Sequence, residues 1–265
     1  MSYLRSSDAQ LLYEVTGAGP PVVLLHPFPL SHKFWMHVAE RLSTRYRLVM
    51  PDLRAHGDSG AGNGPATMEK MAADLALLCG EEHIAKGHFV GVSIGSYVLF
   101  EFWRRQREQV SSLVLANTRA AAETPESRAN RLAIADKVLR EGTASFIAEM
   151  LLKLMSPATL NNRPDIVDAA RQMMQKMSPQ DIAAVQQGMA DRPDSVPTLK
   201  TINVPTLIIA GEDDSIPRSE FELMRRQIAG SRLNVIPHAG HYAALEQPEE
   251  FAALLRSFFD GLPRA

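Results

Sequence analysis

The chain has 265 residues, 45% hydrophobic and 22% charged, with a formal net charge of −2, which suits one large domain or a core with an inserted subdomain. That balance, with no basic stripe interleaved with aromatics, gives no electrostatic footing for nucleic acid. No apolar run reaches membrane-spanning length, Met1-Ser-Tyr-Leu-Arg does not read as a signal peptide, and the single cysteine, Cys79, excludes an internal disulfide, so a cytoplasmic protein is expected.

In chain order, apolar strand-like runs fall at Leu11–Val15, Val22–His26, Leu48–Pro51, His88–Val92, Leu113–Asn117, Thr206–Ala210 and Leu233–Pro237. Amphipathic helical stretches lie between them, as at His32–Leu42, Met68–Leu78 and Phe221–Ile228. Near-continuous β-branched runs separated by helices predict an α/β fold, a mainly parallel open sheet with helices on both faces. The first segment reads as an antiparallel hairpin turning at Ser6-Ser7-Asp8, and Cys79 falls on the apolar face of its helix as a core thiol.

Between about residues 120 and 197 the strand signal vanishes. Helical patterns follow one another at Pro125–Arg140, Thr143–Met155, Asp165–Met177 and Pro179–Met189, the last opened by Ser178 as N-cap with Pro at the first position. This predicts a helical insert, residues 120–198, within a core formed by 1–119 and 199–265. The insert carries Met150, Met155, Met173, Met174, Met177 and Met189, which as a group suggest an adaptable apolar surface.

The segment Phe89-Val-Gly-Val-Ser-Ile-Gly-Ser joins a strand to a helix through a sharp bend with Ser93 at its apex. Side chains at Gly91 and Gly95 would collide with the flanking strand and helix, and the bend lifts the serine hydroxyl clear of the sheet. A nucleophilic serine needs a base, the base an orienting acid, and the developing oxyanion a pair of donors. The base comes from Ile236-Pro-His-Ala-Gly-His-Tyr, as His241 or His238, and the acid from Gly211-Glu-Asp-Asp-Ser, as Asp214 or Asp213. The donors would be the N–H of Ile94 and one from the loop His26-Pro-Phe-Pro-Leu. There Pro27 and Pro29 have none, leaving Phe28.

With these residues in the order Ser, Asp, His, each after a strand, the chain resembles the α/β-hydrolase superfamily. Asp52-Leu-Arg-Ala-His-Gly-Asp-Ser is similar to that family's D-x-R-G-H-G-x-S turn, and Gly240-His-Tyr-Ala-Ala-Leu-Glu-Gln-Pro to the segment carrying its histidine. The resemblance selects His241, and Asp214 as the third residue after the glycine of G-x-x-D. Three positions depart from the pattern: Pro27 follows His26 where glycine is usual, Ala55 replaces a glycine, and Ser96 replaces the second glycine after the bend.

The resemblance implies a cofactor-free and metal-free serine hydrolase cleaving a small carboxylic ester or lactone through an acyl-enzyme, similar to enol-lactone hydrolases and haloperoxidase-like esterases. Perhydrolase and carbon–carbon bond hydrolase chemistries share the triad. A small-molecule binding protein on the same fold is the alternative from another class, and would not need the Phe28 N–H free. The insert would lie over the sheet's carboxyl edge as a cap, with Phe34, Trp35, Met150 and Met155 as candidate pocket walls, while Trp35 and Trp103 suit the core better than the pocket.

Overall fold

Val22, Val23, Leu24 and Leu25 offer no polar face, so as a strand they must be covered on both sides, and all four are fully buried. They belong to a single eight-stranded sheet: β1 Ser2–Arg5, β2 Gln10–Thr16, β3 Pro21–Leu25, β4 Arg47–Pro51, β5 Gly87–Val92, β6 Val110–Ala116, β7 Thr206–Gly211 and β8 Arg232–Ile236. The computed structural model describes residues 1–262, so the last three residues of the expected core segment 199–265 lie outside the described residues. The strand order is β1-β2-β4-β3-β5-β6-β7-β8. β1 and β2 form the expected antiparallel hairpin, β2 runs antiparallel to β4, and every pairing from β4 through β8 is parallel.

The helices are α1 Met36–Leu42, α2 Met68–Glu81, α3 Ile94–Gln106, α4 Pro125–Glu141, α5 Ala144–Leu154, α6 Pro157–Asn162, α7 Pro164–Met174, α8 Pro179–Ala190, α9 Val196–Leu199, α10 Arg218–Gln227, α11 Ala243–Glu246 and α12 Pro248–Asp260. Six of them, α4 to α9, fill the interval between β6 and β7 without a strand. α8 starts where the Ser-Pro signal places it. The Ser178 side chain accepts from the Asp181 N–H while the Asp181 carboxylate accepts from the Ser178 N–H, satisfying two donors reciprocally. Among the described residues no helix is long and apolar enough to cross a membrane.

The parallel order gathers residues that are remote in sequence. In β3-β5-β6-β7-β8 all five carboxyl ends lie along one edge of the sheet. The loops that leave them therefore carry Phe28, Ser93, Asn117, Asp214 and His241 side by side, although up to 213 residues separate them in sequence.

Candidate active site

Ser93 occupies the single residue between β5 and α3, at φ +53° and ψ −115°, where an L side chain is strained. Its N–H donates to the Ala116 carbonyl of β6 (2.9 Å), pinning the bend to the neighbouring strand. A Cβ at Gly91 would lie 2.6 Å from the Gly95 carbonyl carbon, and one at Gly95 would lie 2.5 Å from the Leu25 carbonyl oxygen. Both glycines are steric requirements of the bend. Ser96, one of the departures, is accommodated because its hydroxyl donates to the Gly91 carbonyl (2.6 Å), tying helix to strand.

His241 Nδ1 lies 2.9 Å from Asp214 Oδ1 and 3.2 Å from Oδ2. The Asp214 side chain is 1% exposed. Burial alone would raise its carboxyl pKa. The charge and hydrogen bond of His241, with donors from Asn117 and the Ile216 N–H, outweigh that and hold it below the usual carboxylate range. An ionised carboxylate only accepts, so in the neutral imidazole the proton sits on Nδ1 and Nε2 presents its lone pair. Asp213 and His238, the competing residues, are exposed.

Asn117 is a partner that the sequence pattern does not announce. Its Nδ2 donates to Asp214 Oδ2 (2.8 Å) and to the Gly240 carbonyl (3.2 Å), bridging the acid to the histidine loop from the end of β6. Its one signal is its place directly after a core strand, on the edge where Ser93, Asp214 and His241 gather.

Glu246 is a second unanticipated hub. Its buried carboxylate accepts from the Gly240 N–H (3.0 Å) and Tyr242 N–H (3.2 Å) on either side of His241. It also accepts from the Ser156 N–H (2.8 Å) and Thr159 hydroxyl (2.7 Å) of the insert. All these groups donate, so the NH₂ of a glutamine would face a donor whichever way it turned. Glu246→Gln is expected to lower stability by about 2–3 kcal/mol, read from the urea midpoint at constant m-value.

In the loop after β3, the Leu30 N–H closes a turn on the Pro27 carbonyl (3.0 Å). His26 Nε2 accepts from the Leu53 N–H (2.9 Å), so Nδ1 donates to the Pro27 carbonyl (3.0 Å). Burial, with His56 nearby, pushes the His26 pKa down to about 3, which keeps that neutral tautomer at ordinary pH. The Tyr242 hydroxyl donates to the Phe28 carbonyl (3.2 Å), linking this loop to the residue after His241. Among the described residues the Phe28 N–H meets no protein acceptor. Ile94 opens α3, where a helix N–H has no intrahelical acceptor.

Ser93, His241 and Phe28 line one cavity of about 310 Å³ together with Met150, Leu154 and Met189 from the helices between β6 and β7. Of the other pocket candidates, Phe34 and Met155 do not line it, contrary to expectation, and Trp35 takes the core position that suits it better. Phe34 packs edge-on against Trp35 (centroids 4.9 Å apart), and Trp35 lies against Phe251 of α12 (5.8 Å). Both are spent on the core because their turn packs beside α11 and α1, on a face of the sheet rather than at its edge. Met155, just past α5, is buried, with its backbone packed close to Gly240. Trp103 is buried, as expected.

One wall of the cavity carries Arg119 and Arg131. Both pair with Glu123 (2.7 and 3.0 Å), which also meets Arg192 (3.3 Å) and the Ser127 hydroxyl. Burial would raise the Glu123 carboxyl, but Arg131, Ser127 and Arg192 pull it down to about 2. The stabilisation is thus complete above its ordinary value of 4.5 and is lost as pH falls toward 2. The stability gap between the native chain and Glu123→Gln is therefore expected to narrow over that interval, by about 3 kcal/mol, in denaturation series at stepped pH. Among the described residues no group of three or more His, Cys, Asp or Glu is placed to hold a metal ion.

Comparison with known proteins gives a consistent answer. A family described as "Alpha/beta hydrolase family" matches residues 22–254. A thermophilic esterase from Thermogutta terrifontis, solved with malate bound, is 38% identical with a TM-score of 0.95, covering 98% of each chain. A hydrolase from Pseudomonas aeruginosa is 30% identical with a TM-score of 0.91, covering 97% of each. The 3-oxoadipate enol-lactonase 1 of Acinetobacter baylyi is 26% identical over 240 residues, 90% of this chain and 88% of its own.

Proposed function

The chain belongs to the alpha/beta hydrolase family and is a hydrolase, and from that premise we propose that it cleaves a small carboxylic ester or lactone with Ser93 as nucleophile. The observation that carries this reading is the buried Asp214–His241 pair, whose histidine lines one cavity with the strained Ser93. His241 Nε2 takes the hydroxyl proton as Ser93 Oγ attacks the carbonyl carbon. The Phe28 and Ile94 N–H groups hold the resulting oxyanion, each worth about 10²–10³ in rate. Collapse of the tetrahedral intermediate expels the alkoxide, which His241 protonates. Water activated by the same imidazole then releases the acid. In a lactone the alcohol stays attached to the acyl chain, so ring opening gives a hydroxy acid.

Residues 120–198 serve in this reading as a cap that selects the substrate. Pro27 is compatible with it, since the loop leaves the Phe28 N–H without a protein acceptor. The presence of that unpaired donor favours an enzyme over a binding protein. Rapid mixing with p-nitrophenyl acetate tests the covalent step. A burst of about one p-nitrophenol per chain, absent in His241→Ala, is expected of an acyl-enzyme. Turnover that survives loss of His241 unchanged would sink the mechanism.

A further inference from the structure

Three cations line the cavity at Ser93, and among the described residues no carboxylate does. Arg119, Arg131 and Lys153 line it, while none of its lining side chains is Asp or Glu. The chain as a whole has 30 acidic and 28 basic residues, so this local excess does not follow from composition. The three arrive from separate elements: the loop after β6, the middle of α4 and the last turn of α5.

The charge behind the wall does not cancel them. Glu123, 1% exposed, is the one carboxylate that Arg119, Arg131 and Arg192 share. One negative charge against three guanidiniums leaves a net positive wall, and Arg192 is further occupied over the Tyr97 ring, 4.1 Å from its centroid. Lys153 has no carboxylate partner among the described residues. Arg131 is incompletely satisfied: Nη1 reaches Gln186 Oε1 (3.1 Å) and the weak acceptor Met189 Sδ (3.6 Å), while buried Nε meets no acceptor among the described residues. Ile134, Met150 and Leu154 line the same cavity as an apolar part.

We propose that the substrate carries a carboxylate besides its scissile ester or lactone, bound by Arg131 and Lys153, with Arg119 adding to the positive field. The proposal rests on the serine-hydrolase reading for the bond broken, and on the cationic wall for the ligand. A carboxylate suits the site because a guanidinium grips it through parallel N–H bonds and an ammonium adds a point charge. Hydrolysis of such an acid-bearing ester consumes one water and yields a dicarboxylate and an alcohol. An acid-bearing lactone yields a hydroxy dicarboxylate.

The test compares mono-p-nitrophenyl adipate with its methyl ester, which share leaving group and acyl length and differ in charge. At low ionic strength kcat/KM is expected to favour the acid by about tenfold or more. That ratio should fall toward one in Arg131→Gln, in Lys153→Glu and at high salt. Arg131→Gln takes a partner from Glu123 and risks misfolding, so Lys153→Glu, on an exposed side chain, decides. A second arm needs no turnover: adipate titrated calorimetrically into Ser93→Ala should bind, adipamide should not, and Lys153→Glu should weaken adipate by about tenfold. Equal or better turnover of the neutral ester, with adipate binding absent or indifferent to Lys153→Glu, overturns the proposal. Should Ser93 prove inert toward both esters, the hydrolase reading fails, while the adipate titration still decides the anion site.

Discussion

Replacing Ser93 by alanine is expected to lower kcat by roughly 10⁴–10⁶-fold while leaving the fold intact. The size follows from the mechanism. Without Oγ there is no acyl-enzyme, His241 has no hydroxyl proton to take, and only oxyanion binding and substrate positioning remain. The fold survives because the bend is held by the Ser93 N–H on the Ala116 carbonyl and by the two glycines, none of which uses the hydroxyl. Backbone strain offers a second readout on the same residue. At φ +53° alanine keeps the strain and glycine relieves it, so Ser93→Gly should be equally inactive yet more stable by about 1 kcal/mol. An inactive, stabilised variant is the signature of a residue held in place for chemistry.

The second large effect is expected at Asp214→Asn, a fall in kcat of about 10³–10⁴-fold. Asp214 accepts from three directions: His241 Nδ1, Asn117 Nδ2 and the Ile216 N–H. An asparagine has one accepting oxygen. If that oxygen keeps Asn117, the new NH₂ meets His241 Nδ1 and forces the proton to Nε2, the nitrogen that must be free to receive it. If it keeps His241, the NH₂ meets Asn117 instead and a donor is left buried without an acceptor. The first arrangement costs rate and also turns the NH₂ onto the Ile216 N–H, and the second costs stability, so the variant is expected to be slow, destabilised or both. Asp213→Asn, on an exposed side chain, is expected to change neither, and steady-state kinetics beside urea denaturation of the two variants separates them.

The sheet was legible because its strands are short, nearly uniform apolar runs that have only one way to be covered. Each of the seven expected strands is present with ends shifted by three residues or fewer. Ser93, Asp214 and His241 could be singled out for a related reason: each directly follows such a run, and a parallel sheet collects those ends on one edge. The tertiary placement of the helices between β6 and β7 could not be read in this way. Helical spacing shows which face of a helix is apolar, but not which neighbour covers it. Hence Phe34 and Met155 are expected in the pocket and pack elsewhere, while Arg119, Arg131 and Lys153 look in sequence like ordinary surface charge.

Two further omissions had signals in the chain. Ser156-Pro157 carries the same start as Ser178-Pro179, and Ser156 does accept from the Thr159 N–H at the head of α6. Glu246 lies five residues after His241 in a helical turn of otherwise apolar residues, where a carboxylate has to find donors or remain unburied. Its donors come from the loop before it and from an insert 90 residues away. That pairing is a property of the assembled fold.

Whether Ser93 is an activated nucleophile can be tested by covalent labelling, without any guess at the substrate. The protein would be exposed to a fluorophosphonate reagent and its adducts located by intact mass and peptide mapping, alongside Ser93→Ala and His241→Ala. One adduct per chain, on Ser93, absent from the first variant and strongly slowed in the second, is the predicted result. A folded native protein that takes no adduct, or labels elsewhere at the same rate in all three, would contradict it.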